Sequence, residues 1–265
     1  MRVHVVQVAY PDEESVPARI ERVAALVSAQ RGADLVVLPE LWPHGGFSYR
    51  AWAERAEPVD GPAMTAIAKA AAELRAVVHA GSIVERADGG PEGRGLWNTS
   101  VVFGPDGERL AVYRKIHRFG FGNGEPLLLE AGYELVVRTL DLAGRPTGVG
   151  LATCYDLRFP ELFRGLLDRG AEIVLVPAAW PAPRVEAWSL LGRARAIEDQ
   201  VVVVQCNTGG THAGVRMGGR SQVVDATGAV LAVAGDGEEV LVVDVDLDAI
   251  GAWRETFPVL ADRRL

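Results

Sequence analysis

The chain has 265 residues, 49% of them hydrophobic, with 27 basic and 35 acidic side chains, a formal net charge of -8 and a pI near 5.2. That length can bury a sizeable core in one α/β domain spanning residues 1–265, and the acidic balance disfavours nucleic acid and anionic membrane as partners. No apolar run reaches the roughly eighteen residues of a membrane span, the start MRVHVVQVAYPDEE lacks the features of a secretory signal, and two cysteines outside any CxxC pair make no disulfide framework, so a cytoplasmic protein with free thiols is expected.

Residues 2–9, rich in valine, predict a strand, and residues 15–31 a helix with Ile20, Val23, Ala24 and Val27 on one face. Residues 33–38 form a second apolar strand, and a continuous apolar strand beside a helix implies burial on both faces. Gly61-Pro62 opens another helix, with proline where its missing N–H costs nothing, and that helix ends near Leu74. From Val77 onward strands follow one another without helices, at 77–84, 98–103 and 109–113, with Pro105-Asp106-Gly107 as the last turn. Residues 88–95, DGGPEGRG, are a loop by composition. A second cycle gives strands at 135–142 and 147–153, a helix at 160–169 and a strand at 172–176. A long helix at 185–200 follows, with Leu190, Leu191, Ala194 and Ile197 on one face, and then a buried strand at 201–205. The tail predicts strands at 221–225, 229–234 and 239–245, the first two joined by Ala226-Thr227-Gly228. Two helix-bearing halves around a strand-rich middle predict a layered α/β sandwich rather than a barrel.

Three positions at strand ends carry the chemistry. Cys154 follows the apolar run 147–152 and precedes Tyr-Asp-Leu-Arg-Phe-Pro-Glu, in which Pro160 opens a helix. A residue on such a strand-to-helix turn lies near backbone N–H groups that lower a thiol pKa or bind an oxyanion. An isolated cysteine more often packs as a small buried hydrophobe, so its assignment rests on context. Glu40, in Leu-Pro-Glu-Leu-Trp, ends the second apolar strand. A partly desolvated glutamate there can act as a base near neutral pH, although taken alone it could cap a helix. Lys115, in Tyr-Arg-Lys-Ile-His, leaves the strand that ends at residue 113. Its ammonium can stabilise the charge that develops on a tetrahedral intermediate, although taken alone it reads as a surface lysine.

LPELW around Glu40, YRKIH around Lys115 and ATCYDLRFPELFR around Cys154 together resemble the three signatures of the nitrilase (carbon-nitrogen hydrolase) superfamily, in the same order and context. The resemblance extends over nearly the whole chain, through VVQVA, GEPLLLEAG, GGRSQVVDATGAVL and FPVLADRR. It implies a four-layer α-β-β-α sandwich, assembled as a homodimer or larger homo-oligomer through the layer that carries the cysteine helix. It also implies Glu40 as general base, Lys115 as oxyanion donor and Cys154 as nucleophile, with the Tyr155 backbone N–H as a further oxyanion donor. The family has a second active-site glutamate seven residues before a glycine. Glu125 has that spacing to Gly132 and is chosen over Glu130. The implied reaction is hydrolysis of a small-molecule amide through a thioester, which calls for no metal or other cofactor.

The segment Ala-Ala-Trp-Pro-Ala-Pro-Arg, followed by a tryptophan and by Arg-Ala-Arg-Ala-Ile-Glu-Asp-Gln, looks like the omega-amidase branch. That branch hydrolyses the terminal amide of 2-oxoglutaramate and related 2-oxo acid amides. Trp180 with Phe119 or Tyr49 would wall a small pocket. Arg158 or Arg184 would meet a substrate carboxylate, although Arg158 could equally pair with Asp156 or Glu161. The same triad serves N-carbamoyl-amine hydrolases and true nitrilases, which stay open as alternatives. A non-catalytic scaffold would lack a triad member, and all three are present.

Other candidates carry less. Cys206 reads as structural, since no lysine follows a nearby strand and its neighbours are Asn207 and Thr208. The five histidines, at 4, 44, 79, 117 and 212, show no HxxH or HExxH spacing, which argues against a zinc hydrolase. His117 is expected beside the pocket. Gly-Phe-Gly-Asn-Gly at 120–124 lacks the Lys-Ser/Thr of a phosphate loop and is expected over or beside the site.

Overall fold

The computed structural model describes residues 1–264. In chain order, β1 (Arg2–Gln7), α1 (Val16–Ser28) and β2 (Leu35–Val37) form the opening β-α-β unit. A short α2 (Trp52–Arg55) and a longer α3 (Pro62–Leu74) lead to β3 (Val77–Arg86), β4 (Leu96–Phe103) and β5 (Arg109–Arg114). After the single-turn α4 (Glu125–Leu128) come β6 (Val137–Leu142), β7 (Arg145–Leu151), α5 (Pro160–Asp168), β8 (Ile173–Pro177), α6 (Val185–Asp199) and β9 (Val202–Cys206). The hairpin β10 (Thr211–His212) and β11 (Val215–Arg216) precedes β12 (Gln222–Val224), β13 (Val230–Val233), β14 (Glu239–Asp244) and α7 (Asp248–Thr256). Element ends shift by a few residues from the sequence reading, as fraying termini do. Among the described residues no helix is long and apolar enough to cross a membrane.

Two six-stranded sheets, ordered β14-β1-β2-β3-β4-β5 and β13-β12-β9-β8-β7-β6, pack face to face. The period-2 alternation of side chains explains the layers. Val3, Val5, Leu35 and Val37 meet Ile173, Leu175, Val202 and Val204 between the sheets. The alternate residues Val6 and Val36 pack under Ile20, Val23 and Ile67 of α1 and α3. Val174, Val176 and Val203 pack under Leu162, Phe163 and Trp188 of α5 and α6. The result is the expected four-layer α-β-β-α sandwich, with α1 and α3 on one face and α5 and α6 on the other.

Helix α6 turns much of its apolar face outward. Leu190 and Ile197 are 66% and 50% exposed, while the buried face carries Trp188, Gly192, Arg195, Ala196 and Asp199. The inward positions are polar because they have partners. Arg195 donates to the Leu157 carbonyl at 3.0 and 3.2 Å, and Asp199 pairs with Arg164 at 3.0 Å. Gly192 lies against the Gln205 side chain, where a Cβ would overlap it. Leu190 and Ile197 of the α6 stripe therefore face outward, while Leu191 packs against the core beneath the helix. The sequence reading also missed α7, whose Arg254 donates to the Gln200 and Ala171 carbonyls.

Parallel pairing of β1, β2 and β3 in one sheet and of β7, β8 and β9 in the other brings carboxyl strand ends to a common crevice, where open α/β folds hold ligands. The sheets are tied there: the Glu40 N–H donates to the Ala178 carbonyl at 3.4 Å, and the Ala179 N–H donates to Glu40 Oε2 at 2.8 Å. Close approach requires Gly81, at φ 68°, because a Cβ would overlap the Pro39 carbonyl oxygen. The register of β3 shifts between His79 and Ser82, a bulge of the kind that re-aims chain beside functional sites.

Candidate active site

The turn after β7 places Cys154. Thr153 caps a 3-10 turn over Cys154–Arg158, and Cys154 sits at φ 49°, a left-handed conformation that costs a non-glycine residue about 1–3 kcal/mol and persists only where its surroundings over-determine it. Asp156 supplies much of that determination. Its carboxylate accepts from the Tyr113 hydroxyl at 2.6 Å, the Thr153 N–H at 2.8 Å, the His117 N–H at 2.9 Å and His117 Nδ1 at 2.8 Å. Burial, with Asp156 alongside, pushes Tyr113 well above the usual phenol range. The His117 ring stacks on Phe159 with centroids 3.7 Å apart, and Arg195 holds the Leu157 carbonyl from α6. The Tyr155 N–H makes no hydrogen bond among the described residues, which leaves it open to an incoming oxygen.

Glu40, Lys115, Glu125 and Cys154 all border one hollow. Lys115, which leaves β5, donates through Nζ to Glu40 Oε1 at 2.7 Å and to Glu125 Oε1 and Oε2 at 3.0 and 2.8 Å. The sequence reading missed Asn98, on β4, whose Nδ2 donates to Glu40 Oε1 at 2.8 Å and to Glu125 Oε1 at 2.7 Å. Its only sequence signal was an amide among the apolar residues of a strand. Glu125 also accepts from the Phe119 N–H at 2.5 Å. Glu130 instead accepts from the backbone N–H groups of Glu92, Arg94 and Gly95, so it holds the 88–95 loop and lies outside the cluster.

These groups set one another's protonation. Burial pulls Lys115 down, but Glu125, Glu40 and Cys154 outweigh it and hold the ammonium well above the usual lysine value. Burial raises Glu125, with Lys115 opposing and Glu40 reinforcing the rise. Burial and then the Glu40 charge push the Cys154 thiol well above its usual range, although Lys115 opposes them. A thiol held that high is neutral at rest, so a thiolate has to be generated by proton transfer as it attacks. A buried thiol beside a carboxylate and an ammonium is the set of groups that acyl transfer from an amide requires.

A second hollow adjoins the first, and the two share Phe47, Phe119, Cys154 and Ala179. Trp180, Tyr155, Arg158 and Arg184 line the outer one, and Tyr49 the inner one; burial, followed by Glu125, pushes Tyr49 to about 12. The pocket candidates named from the sequence, Trp180, Phe119, Tyr49, Arg158 and Arg184, all line these two hollows. Arg158 pairs with neither Asp156, whose acceptors are filled, nor Glu161. Its guanidinium stands 5.0 Å from the Trp180 ring centroid and makes no ion pair among the described residues. Arg184 stands 5.2 Å from the Phe119 ring centroid. The 120–124 loop runs beside the site, with Phe121 packing edge-on to Phe119.

The remaining candidates lie elsewhere. Cys206 is fully buried between the sheets, its thiol donates to the Val6 carbonyl at 3.3 Å, and burial raises its pKa well above the usual range. Among the described residues no group of three or more His, Cys, Asp or Glu side chains is arranged to hold a metal ion.

Comparison with known proteins identifies the family. Residues 2–255 match the model of the family described as carbon-nitrogen hydrolase. A 2-oxoglutaramate amidase of Paenarthrobacter nicotinovorans is 46% identical over 264 residues, covering 99% of this chain and 89% of that protein. The human omega-amidase NIT2 is 34% identical over 245 residues, covering 89% and 85%. Among solved structures, a CN-hydrolase superfamily protein from Xanthomonas campestris, with an arsenic adduct in its active site, is 32% identical and superposes with a TM-score of 0.88, covering 100% and 97%. An amidase from Nesterenkonia sp. AN1, in which acrylamide has added to the active-site cysteine, is 26% identical with a TM-score of 0.79, covering 97% and 98%. With the family model matched across almost its full length and the same sandwich in solved relatives, this chain belongs to the carbon-nitrogen hydrolase family and is an enzyme of that class.

Proposed function

We propose that this hydrolase is an omega-amidase, releasing ammonia from 2-oxoglutaramate or a closely related 2-oxo acid amide, with Cys154 as nucleophile. The observation that carries the reading is the buried cluster itself, in which Lys115 bonds both Glu40 and Glu125 on the hollow that Cys154 borders. Relatives named 2-oxoglutaramate amidase and omega-amidase support the substrate.

Glu40 removes the thiol proton as Sγ attacks the amide carbon. The Tyr155 N–H and Lys115 stabilise the oxyanion. Glu125 holds two of the three Lys115 donors, so one can turn to the oxyanion while both carboxylates stay paired. As the C–N bond breaks, the protonated Glu40 gives its proton to the departing ammonia and a thioester remains. Water, deprotonated by Glu40, attacks the thioester. The C–S bond then breaks, and the proton on Glu40 returns to sulfur as the acid leaves. Arg158, lacking a carboxylate partner among the described residues, meets the substrate carboxylate, and Trp180, Phe119 and Tyr49 wall its short chain.

A panel of 2-oxo acid amides, neutral amides, N-carbamoyl amines and nitriles tests the reading by ammonia and carbon dioxide release. Turnover of 2-oxoglutaramate well above the rest supports it. Preferential carbon dioxide release from carbamoyl compounds, or nitrile turnover, would replace it with the corresponding alternative.

We also assign a homo-oligomer built on α6, because Leu190 and Ile197 leave apolar surface exposed along that helix. Two free thiols, both buried, suit the reducing cytoplasm.

A further inference from the structure

Resting on Glu40 as the base, the geometry points to Asn98 as a positioning residue. Its amide nitrogen bonds both glutamates and leaves Glu40 Oε2 as the oxygen that exchanges protons with Cys154.

A carboxylate offers about two lone pairs on each oxygen. Glu40 Oε1 accepts from Lys115 Nζ at 2.7 Å and from Asn98 Nδ2 at 2.8 Å, so both of its sites are filled. Among the described residues Glu40 Oε2 accepts only from the Ala179 N–H, at 2.8 Å, which leaves one site for a proton arriving from sulfur. Asn98 thus closes the wrong oxygen to the reaction.

The second N–H of the same nitrogen goes to Glu125 Oε1 at 2.7 Å. Two carboxylates and one ammonium leave this buried cluster one negative charge in excess. A neutral donor bonded to both anions favours their ionised forms without adding a charge. A second cation there would also favour ionisation, but it would make Glu40 a poorer base. The orientation of the amide is set by the same anions, since turning it over would aim Oδ1 at two carboxylate oxygens. Accordingly Oδ1 stays buried without a partner, an unfavourable arrangement that the two charged bonds offset.

Position in the sheet makes the arrangement rigid. The Lys115 N–H donates to the Asn98 carbonyl at 2.9 Å, and β4 pairs Thr99 with Arg114. Asn98 and Lys115 therefore stand opposite each other on neighbouring strands and project from the same face.

The test compares the pH dependence of kcat/KM for ammonia release in the wild type, Asn98→Leu and Asn98→Asp. Loss of the amide donors removes a hydrogen bond from each carboxylate, so the acid limb should move up by about one pH unit or more. At the same time kcat should fall at least about tenfold, with KM changing less than about threefold. Asn98→Asp, nearly isosteric, places a third carboxylate in the cluster and should move the limb in the same direction. It carries the test alone if thermal unfolding shows that Asn98→Leu does not fold. An acid limb that stays at the wild-type pH, or a rise in KM at unchanged kcat, overturns the assignment. Glu40→Gln, assayed in parallel, separates the two levels. Retained turnover in that variant refutes Glu40 as base, whereas a dead Glu40→Gln with an unshifted Asn98 profile refutes the role of Asn98 alone.

Discussion

The Lys115 ammonium lies 2.7 Å from Glu40 Oε1 with the two side chains only 2% and 3% exposed. A buried ion pair of this kind is costly to assemble, and more costly still to break on one side. Its presence beside Cys154, with Glu125 on the other flank of the ammonium, makes the cluster a single electrostatic unit.

Lys115→Met should therefore fail twice. With the ammonium gone, two buried carboxylates face each other, and folded stability should fall by about 3–5 kcal/mol in urea denaturation. The oxyanion donor goes with it, so kcat should fall by on the order of 10³-fold. A variant with near-normal turnover would show that the ammonium does not act in the reaction.

Arg158→Met separates binding of the substrate carboxylate from chemistry. Truncating one partner of a buried charged hydrogen bond should lower kcat/KM for 2-oxo acid amides by on the order of 10²-fold. Neutral amides of similar length should be hydrolysed as by the wild type. Equal losses on both substrate classes would mean that Arg158 acts through the pocket structure.

Three buried histidines make stability fall with acid. Burial lowers His44 to about 3, helped by Arg55 and Arg19, and lowers His79 to about 4. Burial, followed by Arg19, lowers His212 to about 4. His44 Nδ1 accepts from the Val84 N–H, and His79 Nδ1 from the Gly81 N–H, so protonation would set donor against donor. Folded values below the ordinary 6.5 mean that this stability is present above pH 6.5 and is lost as pH falls towards 4 and 3. The Tm should drop most steeply in that window, and His79→Asn, which keeps an acceptor, should lessen the drop. A Tm unchanged between pH 7 and pH 4 would contradict this.

How far the chain was legible depended on whether a residue's surroundings are local. Glu40, Lys115 and Cys154 each leave a strand end, and each stands in a short motif, so their meeting at one hollow could be read. Asn98 could not be singled out, because an amide in LWNTSVVF reads as an ordinary strand position until Glu40 and Glu125 arrive from elsewhere. The α6 stripe was seen but its direction was not, since periodicity marks an apolar face without saying whether the chain or another molecule covers it. The inward face could not be recognised as such because Arg195 and Asp199 find their partners on the Cys154 turn and on α5.

That outward stripe gives a direct test of assembly. Leu190→Lys with Ile197→Lys should convert a dimer or larger species into a monomer by light scattering, because like charges would then face each other across the shared surface. An unchanged mass would move the interface away from α6.

The central claim is that the acyl group passes through Cys154. The most direct measurement is intact and peptide mass spectrometry of enzyme acid-quenched during turnover of 2-oxoglutaramate, with Cys154→Ala alongside. The expected result is an acyl adduct on the peptide carrying Cys154, and no adduct or ammonia release from Cys154→Ala. Ammonia release at the wild-type rate from Cys154→Ala would contradict the account.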